Sequence, residues 1–130
     1  MARAYKDRKV YGCLILNRLA SELDLDLHQP ELSGKLDQIL SSPPPGLSKE
    51  EVKHEIRSNH FMTNRILEDL ESEGLVSIDK VDGRYAITIT RDGVLYIRKY
   101  NEFYLKIYRE QIRDHYRYSG VPHWAREVEK

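Results

Sequence analysis

The chain has 130 residues, 21 basic and 21 acidic, so its formal net charge is zero. That length favours one domain with a single core. The charge balance excludes a histone-like protein that binds nucleic acid through bulk charge, and it leaves room for one basic face. Hydrophobic residues make up 40% and charged residues 32%, as in helix-rich globular chains and unlike disordered ones.

The lone cysteine, Cys13, has no internal partner, which points to a reducing compartment. It lies in the run Val10-Tyr11-Gly12-Cys13-Leu14-Ile15-Leu16 and reads as a small buried hydrophobe in preference to a reactive thiol. No apolar run approaches the roughly 18 residues that span a bilayer. The basic stretch Met1–Lys9 is followed by an apolar run too short for a signal peptide, interrupted by Asn17 and Arg18, with no small-residue cleavage site. The expectation is a cytoplasmic protein with no membrane segment.

In chain order, residues 5–23 read as a helix through Tyr11, Leu14, Ile15 and Leu19. A polar connection ends at Pro30. A second helix runs from Leu32 or Ser33 to Leu40, with Leu36, Ile39 and Leu40 on one face, and Pro43-Pro44-Pro45-Gly46 makes a stiff loop after it. Ser48-Lys49-Glu50-Glu51 has the form of a capping box and opens a short helix with Val52 and Ile56 inward. That helix stops near Arg57-Ser58. Another begins at Asn59 or His60, carries Met62, Ile66, Leu67 and Leu70 at helical spacing, and ends at Gly74.

The period then changes from 3.6 to 2. Leu75, Val76 and Ile78 begin a strand, and Tyr85, Ile87 and Ile89 alternate with Ala86, Thr88 and Thr90. Asp82-Gly83 between two such runs is a strong hairpin signal. Thr90 caps a last helix predicted to run unbroken from about Asp92 to Tyr118 and to stop at Gly120 and Pro122.

Helix, tight turn, helix and hairpin form a helix-turn-helix unit with a wing. The stretch Asn64–Val76, with Leu67 and Leu70 followed by acidic residues and Gly74-Leu75-Val76, resembles the end of the recognition helix in winged helix-turn-helix regulators of the bacterial and archaeal type. Ile89-Thr90-Arg91-Asp92-Gly93 resembles the Leu-Thr-x-x-Gly that enters their last helix. The resemblance is to PadR- or MarR-like proteins, or to archaeal coiled-coil winged-helix proteins. It covers residues 33–93, about half the chain. It implies a mainly α fold with a small β-hairpin, divided into an N-terminal helix and connection (1–30), the winged helix-turn-helix (31–93) and a C-terminal helix and tail (94–130). The function implied is a sequence-specific DNA-binding transcriptional regulator.

The residues support that function on their own terms. With Leu67 and Leu70 turned inward, His60, Thr63, Asn64, Arg65 and Glu68 are expected nearer the solvent face of a recognition helix spanning about 60–73. Asn and Arg are the side chains that pair with adenine and guanine in a major groove. Lys80 and Arg84 flank the tip of a wing at 79–85, where backbone or minor groove would lie, and Arg57 sits in the turn. The expected partner is double-stranded DNA. Charge partition opposes tight binding by the helix pair alone: Ser48–Glu73 holds four basic residues against seven acidic ones, net −3. Met1–Arg18 is net +4 and Asp79–Tyr118 net +3, so a DNA face must draw on the wing and the N-terminal arm.

The last helix, about 27 residues and so about 40 Å at about 1.5 Å per residue, carries an apolar stripe through Ile97, Tyr100, Tyr104, Ile107 and Tyr108. A homodimer joined by a coiled coil of these helices is expected, with packing on the chain's own first helix as the alternative. The five histidines are scattered, and no metal motif, phosphate loop or nucleophile-base pair is present. Neither enzyme activity, metal nor cofactor is expected. Trp124 reads as locking the tail onto the domain, with anchoring a partner as the alternative. The alternative function is a winged-helix module that binds protein and not DNA, as the acidic helix pair permits.

Overall fold

The structure, a computed structural model, describes residues 8–23, 25–42 and 45–126. The predicted helical start at residues 5–7, the arm residues Arg3 and Lys6, and Pro43 and Pro44 lie outside these. The first helix, α1 (Arg8–Ser21), has Leu14, Ile15 and Leu16 in succession, each fully buried. Three consecutive residues point around most of a helix, so α1 is enclosed except along the face of Tyr11 and Arg18, which are partly exposed. Around it pack α3 (Lys49–Ile56), α4 (His60–Ser72), α5 (Arg91–Phe103) and the hairpin strand β2 (Arg84–Ile89). Cys13 is buried there, and burial pushes its thiol well above the usual range, so it is protonated and inert as a nucleophile.

The short α2 (Leu32–Leu40) docks Leu32 and Leu36 on the core and is held to α5 by Arg91, which donates to the Ser33 carbonyl (2.9 Å) and pairs with Asp37 (3.2 Å). The capping box at α3 is complete: Ser48 Oγ accepts from Glu51 N at 3.1 Å, and Glu51 Oε1 accepts from Ser48 N at 3.0 Å. The turn to α4 passes through Arg57 at φ 51°, a left-handed conformation. Asn59 then caps α4 by accepting from Met62 N at 2.7 Å.

Strands β1 (Val76–Val81) and β2 pair antiparallel, from Val76 opposite Ile89 to Val81 opposite Arg84. Asp82 (φ 53°) and Gly83 (φ 79°) make the tip, the two left-handed residues a two-residue hairpin turn requires. The base of the hairpin is buried and its tip exposed. Leu47 adds one residue of antiparallel pairing to Ile87, with both N–H···O bonds formed (2.9 and 2.8 Å). A single residue after a proline run carries no periodicity, so the sequence does not reveal this bridge. Thr90 caps α5 by accepting from Gly93 N (3.0 Å), and its hydroxyl donates to the Gly74 carbonyl (2.6 Å), closing the wing onto the end of α4. These elements make a winged helix-turn-helix.

One expectation is corrected. The last helix is not continuous: it breaks at Tyr104 (φ −102°) into α5, 13 residues, and α6 (Leu105–Tyr116), 12 residues. The expected stripe runs from Ile97 and Tyr100 on through Tyr104 and Ile107. The chain buries Leu105, Ile112, His115 and Tyr116 instead. Leu105 and Ile112 follow Val94 by 11 and 18 residues, about three and five helical turns, so the buried face keeps the helical period across the break, while Ile107 falls outside it and is 70% exposed. After α6, a turn through Gly120 leads to α7 (His123–Arg126). Trp124 is half-buried there, edge-on to Tyr116 at 6.1 Å, which holds the tail on the domain.

Candidate nucleic-acid interface

Helix α4 buries Thr63, Ile66, Leu67 and Leu70 and exposes His60, Phe61, Arg65 and Glu68, with Asn64 half-buried. Thr63 departs from the expected solvent face. It is 1% exposed, and its hydroxyl donates to the Asn59 carbonyl at 2.8 Å, closing the first turn. Its spacing to Ile66, Leu67 and Leu70 is that of the core stripe, a signal already present in the sequence. Asn64 Nδ2 lies 3.1 Å from His60 Nε2, one turn back. Phe61, 68% exposed, lies under the Arg65 guanidinium, 5.8 Å from ring centroid to Cζ.

At the wing, Lys80, Arg84 and Tyr85 are exposed. The Lys80 ammonium is 5.5 Å from the Tyr85 ring centroid, and Lys49, the first residue of α3, reaches the same ring at 4.0 Å. Cations over an aromatic face are held by the ring quadrupole, so two ammonium groups from different elements converge on one ring. Lys49, Lys80 and Arg84 are in none of the ion pairs found among the described residues. Sequence reading passed over Phe61, Lys49 and Tyr85. Phe61 is four residues before Arg65 and so shares its face, a legible signal. Lys49 and Tyr85 meet only in three dimensions.

Two basic groups are engaged elsewhere. Arg57 donates to the hydroxyl of Ser119, in the turn after α6, which ties the helix-turn-helix turn to the C-terminal segment. Arg8 pairs with Asp69, neutralising one carboxylate of α4. Behind the helix pair, the nearly buried Glu55 joins three helices. It accepts from Arg18 of α1 (2.9 Å) and from the Tyr116 hydroxyl of α6, and its backbone carbonyl lies 2.7 Å from His115 Nε2. Burial, reinforced by this carboxylate, pushes the Tyr116 phenol far above its usual range. Burial opposes the charge on Arg18, but the hydrogen bond and charge of Glu55 hold it above its ordinary value. The neutral phenol and charged guanidinium therefore fix α3 against its scaffold.

Of the five stripe residues expected to form a dimer contact, Ile97 and Tyr100 are buried in the chain itself, where α5 packs on α1, and Tyr108 is half-buried. Tyr104 and Ile107 are exposed, as are Tyr96 and Phe103. Tyr96, Tyr100 and Tyr104 stack in series, with centroids 5.9 and 4.6 Å apart, and with Lys9, Lys99 and Phe103 they line a groove of about 500 Å³. A second cavity, about 490 Å³, lies between α1, α5 and α7, with His28, His123 and Trp124 on its wall. Its floor holds Asn17 and Asn101, whose amides bond reciprocally at 2.9 and 2.8 Å. Among the described residues no three His, Cys, Asp or Glu side chains gather to hold a metal ion, and no helix is long and apolar enough to cross a membrane.

The site is thus the solvent face of the second helix of a helix-turn-helix, followed by a wing with unpaired cations: a winged helix-turn-helix protein. No protein-family model and no curated protein matches the chain. Among solved structures, the G34K mutant of S. aureus MepR is similar, at 12% identity and a TM-score of 0.44, over 97% of this chain and 91% of that one. The fold assignment rests on the elements and pairings described above.

Proposed function

We propose that the chain is a DNA-binding transcriptional regulator of the PadR/MarR-like kind, acting as a homodimer in the cytoplasm and without catalytic activity. The observation that carries this reading is the outward face of α4, which presents His60, Asn64 and Arg65, together with the unpaired cations of the wing region, Lys49, Lys80 and Arg84. In this reading Arg65 meets a base edge in the major groove, and Asn64, whose Oδ1 is buried, contributes through its amide nitrogen beside His60. Lys80, Arg84 and the Lys49–Tyr85 pair hold backbone phosphates. Thr63 and Arg57 serve inside the chain. The modest charge per subunit favours two subunits on one duplex. The surface that supports pairing is Tyr96, Phe103, Tyr104 and Ile107 across the α5–α6 break, in place of a long coiled coil.

The second reading, a module that binds protein, is favoured by the net −3 of Ser48–Glu73. Binding to genomic duplex fragments as a function of salt separates the two. Arg65→Ala should relax sequence preference at one base position, at a cost of about 1–3 kcal/mol. If wild type and Arg65→Ala both ignore duplex DNA at low salt, the protein-binding reading replaces this one.

A further inference from the structure

The Phe61–Arg65 pair carries an inference that rests on the DNA-binding reading and goes beyond it. Phe61 is the one large apolar side chain exposed on α4, at 68%. Its neighbours along α4 on that face, His60, Asn64 and Arg65, are polar, unlike the apolar surround of an anchor in a protein interface. Among the groups that base pairs present in a major groove, the apolar one is the thymine C5-methyl. Arg65 lies one turn further on. Helical side chains lean toward the N-terminus, which brings its guanidinium over the Phe61 ring at 5.8 Å. Arg65 makes none of the hydrogen bonds or ion pairs found among the described residues, so its fork of donors is open to O6 and N7 of a guanine.

We infer that Phe61 and Arg65 act as one reading unit for a thymine next to a guanine, Phe61 packing on the thymine methyl while Arg65 binds the guanine. The ring also holds the guanidinium in place before DNA arrives, which lowers the ordering cost of binding.

The test uses the full chain and a pool of random-sequence duplexes. The duplexes that wild type enriches should share a thymine-guanine step. Deoxyuridine at that thymine removes only the methyl and should weaken wild-type binding about fourfold, the value of one buried methyl-sized group. Phe61→Ala, folded as judged by circular dichroism, should bind the two duplexes equally, and Arg65→Ala should lose the guanine preference. The inference is overturned if Phe61→Ala keeps the wild-type discrimination between thymine and deoxyuridine, or if the enriched duplexes lack the step. It is also overturned if Phe61→Ala leaves DNA binding intact and abolishes binding to a protein. If wild type enriches no duplex at low salt, the DNA-binding reading itself fails. Enrichment with no sensitivity to the methyl sinks only the Phe61 assignment.

Discussion

Arg57 is the residue at which local conformation and tertiary role meet. Left-handed backbone costs an L-residue on the order of 1–2 kcal/mol, and here an arginine adopts it at φ 51° while its side chain reaches Ser119. Arg57→Ala should lose the contact and keep the strain, whereas Arg57→Gly loses the contact and relieves the strain. Gly should therefore exceed Ala in unfolding free energy by about 1 kcal/mol; equal urea midpoints would contradict the strain. Cys13 and Tyr116 give the chain a pH signature. Both hold their protons more tightly folded than unfolded because burial penalises the thiolate and the phenolate. Their contribution is complete below the ordinary values of 9.0 and 10.0 and is lost as pH rises beyond them. The urea midpoint should fall at alkaline pH above these values, and Tyr116→Phe should fall less steeply above pH 10. Parallel curves for the two proteins would show that Tyr116 is not the titrating group.

Among the elements, the junction between wing and last helix is the least tolerant. A Cβ on Gly93 would run into the backbone carbonyl of Leu75 and the side chain of Ile89. Gly93→Ala should destabilise the chain by about 2–3 kcal/mol through overpacking against backbone, read as a lower thermal midpoint. An unchanged midpoint would mean that α5 is less closely docked on Leu75 and Ile89 than described. This junction was readable in advance, because Thr90-Arg91-Asp92-Gly93 combines a capping hydroxyl with a small residue where helix meets strand. The capping box, the Asp82-Gly83 tip and the strand alternation were legible for the same reason: each is written in local residue types. The break at Tyr104 was not. No proline or glycine stands at Tyr104 to mark it, and Leu105 and Ile112 keep the helical period of Val94. The site divides in the same way. The α4 face follows from spacing, Thr63 included, while the Lys49–Tyr85 contact and the Arg57–Ser119 tie depend on tertiary packing.

For the whole molecule, the break in the last helix changes what a dimerisation test must touch. Ile97 belongs to the chain's own core, and Ile97→Asp should unfold it. Phe103→Asp with Ile107→Asp alters only exposed side chains. It should leave the circular dichroism spectrum and thermal midpoint intact while sedimentation falls from twice the chain mass to one. A wild-type chain that sediments as a monomer at high micromolar concentration would remove the proposed pairing surface.

Charge is also arranged at this scale, with a neutral chain, an acidic helix pair and cations gathered at the wing. If the wing and the first residue of α3 hold phosphates, affinity for duplex DNA falls with salt in proportion to the contacts made. The decisive measurement is the slope of log affinity against log salt for wild type, Lys49→Ala and Arg84→Ala on one duplex. Wild type should bind measurably at low salt, and each substitution should make the slope shallower by about one unit. Wild-type slopes for both variants, or no binding by wild type at low salt, would contradict the phosphate contacts.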